Sequence, residues 1–335
     1  MNKGDNRIPR RVLVTGVNGF VGSHIALAFL RAGYSVTGLL RKTSNTRLIR
    51  DLSIDLKYGD VTDRDSLTDA ISGQDYIIHP AGLIQAKSID AFMKVNQQGT
   101  KNVLKAAYEN CQGLKKLVYI SSQAAAGPSE SEVPIDETID PHPVSDYGRS
   151  KLAAESECHS FFDKLPVAIV RPPAVYGPGD EGILPFFKIV KSGWYWKFGL
   201  KERFASIVHV TDLARAVVLA AESENSNGET FFAANPGLNS ICQMQKLMAD
   251  IMKVEVKPLV TPIWLTKCLA GLDAVSSIVT GQPRSLTMDK IRELSQMYWL
   301  CNSSKAESVL GWKPEISQAD GLTETIDWYI QHRWL

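Results

Sequence analysis

Three glycines at a spacing of three constrain this chain more than any other feature. They stand in Arg11-Val12-Leu13-Val14-Thr15-Gly16-Val17-Asn18-Gly19-Phe20-Val21-Gly22. An apolar, β-branched run leads into them and an apolar segment over 20–32 follows, so the order reads strand, tight turn, helix. Each glycine has a physical task in such a turn. Gly16 takes backbone angles that a side chain forbids. Gly19 lets a pyrophosphate approach the main chain, and Gly22 lets the helix pack closely on the strand. The helix start at Phe20, Val21 and Gly22 offers unpaired N–H groups and the positive end of a dipole to phosphates. Glycine also marks ordinary turns. Its position between a strand and a helix is what turns the pattern into a dinucleotide-binding expectation.

The stretch is the first of a series. Strand-like runs at 12–15, 35–40, 54–58, 76–78 and 117–121 alternate with helix-like segments at 20–32, 45–51, 64–71 and 89–110. Thr62 and Asp65 read as a capping box for the third helix. The alternation implies an α/β fold, a doubly wound parallel Rossmann sheet covered on both faces. Ligands bind such sheets beyond the carboxyl ends of the strands, so the residues just after each strand are the candidates. After the second strand, Leu39-Leu40-Arg41-Lys42 lacks the acidic residue that an NAD site uses to hold the ribose hydroxyls. Arg41 instead suits a ribose 2′-phosphate, which makes NADP the expected cofactor and NAD the alternative; the other reading is a surface arginine at a strand end. After the third, Asp60 accepts from an adenine amino group or caps a helix, and Val61 packs on the ring. After the fourth, Pro80, Ala81 and Gly82 are small enough for a cofactor to lie against the backbone. His79 reads as a packed strand-end residue. Asn96, within the following helix, bends it, holds a water chain or is a packing amide.

The fifth strand ends in Ser121-Ser122. A loop follows to Pro143, then Ser145-Asp146-Tyr147-Gly148-Arg149-Ser150-Lys151 opens a helix running to about 162. Tyr147 and Lys151 are four apart and share a helical face. With Ser122 they supply a proton donor, its activator and a carbonyl anchor. A strand at 167–170 leads to Arg171-Pro172-Pro173, where two prolines stop sheet pairing and fix a rigid exit. Beyond, the alternation decays. Phe186, Phe187, Trp194, Tyr195, Trp196 and Phe198 form a second small core or an apolar substrate wall. Residues 208–214 read as a strand end and a capped helix, and 229–234 as another short strand. Ser240 with Gln243 and Ser304 with Glu307 read as capping boxes, and a closing helix spans 318–331.

Bulk properties exclude several classes. At 335 residues the chain makes one large domain or two intimately joined ones. A formal net charge of +1 argues against a nucleic-acid footprint; Arg7, Arg10 and Arg11 read as a solvated end. The five cysteines, Cys111, Cys158, Cys242, Cys268 and Cys301, form no CxxC pair, so neither a metal site nor a disulfide framework is expected. The polar start suggests no secretory signal, and a reducing cytoplasm is the expected compartment. Residues 259–281 are apolar, but Lys267 and Asp273 interrupt them. They make a poor membrane span and read as a buried helix or a lid over an apolar substrate, against a peripheral membrane contact.

Together these motifs resemble the extended short-chain dehydrogenase/reductase family. The matching pieces are Thr15–Gly22, Asp60-Val61, Ser122, Tyr147 with Lys151, Arg171-Pro172-Pro173 through Val175-Tyr176-Gly177-Pro178-Gly179, His209-Val210 with Asp212-Leu213-Ala214, and Leu310-Gly311-Trp312 with Pro314. Within the family the chain looks most like the branch of 3β-hydroxysteroid dehydrogenases and dihydroflavonol reductases. The competing branch, nucleotide-sugar epimerases and dehydratases, grips a pyrophosphate with Arg-Asp-Phe; here those positions are Ala205-Ser206-Ile207. The resemblance implies a dinucleotide domain over 8–175, rejoined by 206–234, and a mostly helical substrate region over 176–205 and 235–335. It implies Tyr147 as general acid or base, its pKa lowered by Lys151 and an oxidised nicotinamide. Ser122 orients the substrate oxygen, Lys151 also holds the nicotinamide ribose, and Pro172 lines the nicotinamide pocket. The expected activity is hydride transfer between NAD(P) and a carbonyl or secondary alcohol of an apolar small molecule. The alternatives are an epimerase or dehydratase with retained cofactor, and a non-catalytic dinucleotide sensor. Related enzymes often pair as homodimers.

Overall fold

The β-branched runs of the first half are apolar on both sides, which suits strands covered by helices on both faces. In the computed structural model, which describes residues 10–264, 266 and 288–335, they become β1 (Arg11–Thr15), β2 (Ser35–Leu40), β3 (Asp55–Tyr58), β4 (Tyr76–His79), β5 (Lys116–Ile120) and β6 (Val167–Arg171). The later strands are β7 (Ala174–Tyr176), β8 (Trp194–Phe198), β9 (Phe204–Ala205), β10 (Ile207–His209), β11 (Thr230–Phe232), β12 (Lys257–Thr261) and β13 (Tyr298–Trp299). Seven of these build one parallel sheet in the order β11-β6-β5-β4-β1-β2-β3. The chain runs outward from β1 to β3, then returns and runs the other way from β4. The switch point therefore lies between β1 and β4, where a ligand crevice opens at the strand ends.

One face of the sheet is covered by the helices Phe20–Arg31 and Val210–Glu222, with Trp312 sealed among them. The other is covered by Gln98–Asn110 and Asp146–His159, through Val103, Leu104, Ala107, Ala154 and Cys158. A separate core joins Phe187, Met248, Leu322, Ile326 and Tyr329 from later helices. Part of the aromatic segment therefore makes a second core. The cavity against Phe186, Trp196, Phe198 and Arg203 is about 30 Å³, room for a water rather than a substrate.

Several local expectations are corrected. The helix expected at 45–51 is a single 3-10 turn, Arg47–Ile49, and that at 64–71 is a 3-10 turn, Asp65–Leu67, running into Thr68–Ile71. The long helix at 89–110 is interrupted: Ile89–Phe92 and Gln98–Asn110 flank a π turn, Met93–Gln97. Thr62 and Asp65 form no capping box, because the Thr62 N–H and hydroxyl both donate to the Asp60 carboxylate. The Ser240 cap forms, accepting from the Gln243 N–H. The Ser304 box does not, since Asn302 Oδ1 takes the Ser304 N–H. The closing helix is Gln318–Gln331, capped by Ser317. Of the apolar 259–281 run, 265 and 267–281 lie outside the described residues, while β12 pairs with β8. No helix among the described residues is long and apolar enough to cross a membrane.

Candidate active site

The glycine turn closes on itself. Gly16 has φ +59°, and a Cβ there would lie 3.1 Å from the Cα of Ala81. The turns after β1 and β4 thus meet at the switch point. A Cβ on Gly22 would stand 2.3 Å from the Gly16 carbonyl oxygen, and one on Gly19 would stand 3.3 Å from it. Gly19 is the extended residue before the helix, and no side chain caps that helix. Glycines that any Cβ would crowd, below an uncapped helix start at Phe20, Val21 and Gly22, fit a pyrophosphate.

The other strand-end candidates ring this turn. Arg41 is exposed at the end of β2, and its backbone N–H donates to Ser44 Oγ at 3.1 Å. Asp60 commits one carboxylate oxygen to Thr62, closing a turn rather than capping a helix. Val61 is buried, and its carbonyl accepts from Asn102. Pro80 and Ala81 are half-buried and Gly82 is exposed. A Cβ on Gly82 would lie 3.5 Å from Lys151 Nζ, which brings the turn after β4 against the catalytic candidates.

His79 is fully buried between Thr15 Oγ1 at 2.7 Å and Thr100 Oγ1 at 3.1 Å. Burial pushes it down to about 3, so it is neutral and ties β1 and β4 to the helix behind them. Asn96 sits in the π turn. Its Nδ2 donates to Ser150 Oγ at 2.8 Å and to the Leu83 carbonyl at 3.0 Å, while its Oδ1 accepts from the Leu83 N–H at 2.7 Å. It is a packing amide that stitches the turn after β4 to the helix bearing Tyr147.

Ser122 leaves the end of β5, and its Oγ accepts from the Ala124 N–H at 3.1 Å. Ser145 caps the helix Asp146–His159, accepting from the Gly148 N–H at 3.0 Å. Tyr147 lies in that helix's first turn and hydrogen-bonds to Ser122. Lys151 follows one turn later, 4% exposed, and donates to the Ile120 carbonyl at 2.7 Å and the Tyr119 hydroxyl at 3.2 Å. Burial pushes its pKa down to about 8, against the opposing charge of Glu155. For Tyr147 the direction is upward. Burial pushes its phenol up to about 12, the Ser122 bond opposes this, and Glu293 adds to it. Pro172 is buried beside this group, and its carbonyl accepts from the Gln123 N–H at 2.8 Å.

Three supporting groups were not singled out from sequence. Glu155, fully buried, takes two bonds from Arg171, at 2.9 and 2.6 Å, and one from Ser121. Its spacing of four from Lys151 was the available signal. Asp289 and Glu293, on the helix Met288–Ser295, reach the start of the helix bearing Tyr147; nothing in the local sequence points there. Arg203 is 9% exposed and donates to the backbone carbonyls of Leu294, Phe198 and Lys201. Ser206, where the epimerase branch has an acid, bonds to the backbone of Cys301.

The model of the NAD dependent epimerase/dehydratase family matches residues 12–234. The chain is 29% identical to a protein of Caulobacter vibrioides named ceramide reductase, over 97% of this chain and 96% of that one. It is 25% identical to the UDP-glucose 4-epimerase of Vibrio cholerae, over 99% of each. Among solved structures, that of gox2253 superposes with a TM-score of 0.80 at 27% identity, covering 97% of this chain and 99% of the other. The chain belongs to the NAD dependent epimerase/dehydratase family, within the extended short-chain dehydrogenases/reductases.

Proposed function

We propose that this member of the NAD dependent epimerase/dehydratase family is a reductase of the carbonyl group of an apolar small molecule, using NADP in preference to NAD. The observation that carries the reading is the meeting of Ser122, Tyr147 and Lys151 beside the glycine turn at the switch point. Gly16, Gly19, Gly22 and the N–H groups of Phe20 and Val21 hold the pyrophosphate. Asp60 and Val61 flank the adenine, Arg41 meets the 2′-phosphate, and Pro80, Ala81, Gly82 and Pro172 line the groove toward the nicotinamide. The bound cofactor supplies the hydride.

The protein's own part is placement and proton transfer. Ser122 and Tyr147 hydroxyls converge on the substrate oxygen and fix the carbonyl between them. A phenol held near 12 keeps its proton at neutral pH, so Tyr147 is set to donate as charge develops on that oxygen. Lys151, poised near 8, keeps enough positive charge at neutral pH to stabilise the phenolate that donation leaves. Residues 8–175 and 206–234 form the cofactor side, and 176–205 with 235–335 the substrate side.

The epimerase reading has less support. Ala205 and Ser206 replace the pyrophosphate clamp, and Arg203 is committed to three backbone carbonyls. The Caulobacter relative's name, a reductase of ceramide, is in line with an apolar substrate. The test is NADPH oxidation by the purified protein across long-chain ketones, sterol ketones, aldehydes and sugar nucleotides, with Tyr147→Phe as control. Turnover with an apolar ketone, abolished in the control, supports the reading. Cofactor that stays bound through purification, with sugar-nucleotide turnover and no net NADPH consumption, overturns it.

A further inference from the structure

The helix that carries Tyr147 is met end-on by a second helix from far along the chain. The Asp289 carboxylate accepts from the N–H of Asp146 at 2.6 Å and from that of Tyr147 at 3.3 Å. The third N–H, of Gly148, is taken by Ser145 Oγ, which donates in turn to Glu293 Oε1 at 2.7 Å. Asp289 and Glu293 are 17% and 14% exposed at the side chain, and Ser145 is fully buried. Two carboxylates from one helix therefore serve the first turn of another.

The electrostatic consequence follows from where Tyr147 stands. An open helix N-terminus carries a partial positive charge and favours an anion in its first turn. Left bare, it would stabilise the Tyr147 phenolate. Asp289 cancels that field at its source, and Glu293 adds a negative charge that raises the phenol's proton affinity. Other groups stand around Tyr147, among them the buried Tyr119 phenol of β5. Lys151 lies one turn on and is turned to the Ile120 carbonyl and Tyr119. Asp146 is paired with Arg149 at the surface. Ser122 comes from the end of β5, and the Phe92 ring lies with its centroid at 6.0 Å. Arg292 and Lys290 pair with Asp289 and Glu293 from their own helix.

We propose that Asp289 and Glu293 are positioning residues that clamp the first turn of the catalytic helix and hold Tyr147 in its proton-donating form. This rests on the reading of Tyr147 as proton donor, and it links the substrate side of the chain to the acid strength of the active-site phenol.

The test does not use turnover. An electron-poor fluorinated tyrosine is placed at position 147 by amber suppression, so that its phenol ionises while the protein stays folded. The ¹⁹F shift is then followed against pH. Glu293→Gln and Asp289→Asn keep shape and hydrogen-bonding oxygens while removing charge. Each should lower the midpoint, raising the phenolate fraction at fixed pH roughly three- to tenfold, with a larger fall in the double variant. Glu293→Asp, which keeps the charge and withdraws it, should give a smaller fall and serves if an amide variant does not fold. Ser145→Ala removes the cap but neither charge, so it should lower thermal stability and leave the midpoint in place. Unmoved midpoints in the charge variants, or an equal shift in Ser145→Ala, overturn the proposal. An absence of NADPH turnover would sink the reductase reading and leave this titration standing.

Discussion

Replacing Glu155 with alanine should be among the most damaging single changes in this chain. The carboxylate is fully buried, takes two bonds from Arg171, which is 6% exposed at its side chain, and a third from Ser121. Removing it strands a guanidinium in the interior and leaves the Ser121 hydroxyl without its acceptor. Breaking one side of such a pair costs about 3–5 kcal/mol. In a chain of this size that is a fall in melting temperature of roughly 5–10 °C. Removing both charges tells a different story, because the desolvation of two ions disappears with them. The double variant Glu155→Met with Arg171→Met should recover to within about 1 kcal/mol of the wild type or exceed it. Thermal unfolding by circular dichroism, with urea unfolding as a check, measures all three. A loss below about 1 kcal/mol in Glu155→Ala, or a double variant as weak as the single, would refute the argument. Glu155 also supports the charge on Lys151, so Glu155→Gln should move the alkaline limb of activity to lower pH.

Other predictions concern the cofactor and the ionisable groups. Arg41→Ala should remove most of a roughly ten- to hundredfold preference for NADPH, since a charge-assisted bond is worth about 1.5–3 kcal/mol; the ratio of kcat/KM for the two cofactors decides it, and a wild type that prefers NADH refutes it. Gly22→Ala should abolish cofactor binding measured by quenching of protein fluorescence, because its Cβ would meet the Gly16 carbonyl oxygen at 2.3 Å; full-strength binding would show that the turn relaxes. The folded pKa of Lys151, about 8, lies below the ordinary lysine value. Between pH 8 and the ordinary value the unfolded chain therefore holds a proton that the folded chain has shed, and stability rises with pH. The gain should shrink in Lys151→Met, Lys116, likewise pushed down to about 8 by burial, supplying a remainder, and pH-dependent urea midpoints that rise equally in both proteins would count against it.

The legible part of this molecule is the part whose chemistry is local. The glycine turn could be read because backbone geometry at Gly16 and contact at Gly22 demand that residue type. Tyr147 and Lys151 could be read because four residues make one helical turn. What escaped depends on distant partners. Asp289 and Glu293 sit on a short charged helix whose composition says nothing of Ser145 or Asp146. The π turn at Met93–Gln97 has no composition of its own; its use shows only when Asn96 is seen between Leu83 and Ser150. The capping box at Thr62 failed because Asp60, two residues earlier, is a stronger acceptor and captured the threonine first.

The place of β11 in the sheet bears on how the protein is made. Thr230–Phe232 pairs with Ile169–Arg171 along the outer side of β6, which is buried from end to end. On a ribosome, β6 emerges first, and the residues of β7 through β10 and the helix Val210–Glu222 must be translated before its cover arrives. For several seconds of synthesis the nascent chain carries a bare apolar strand with free hydrogen-bonding groups. The opposite edge has no such interval of danger, because β3 is short and alternates charged Asp55 and Lys57 with Leu56 and Tyr58. A chain halted before Phe232 should thus be a chaperone client and an aggregation seed, while one released after it has already closed its vulnerable border.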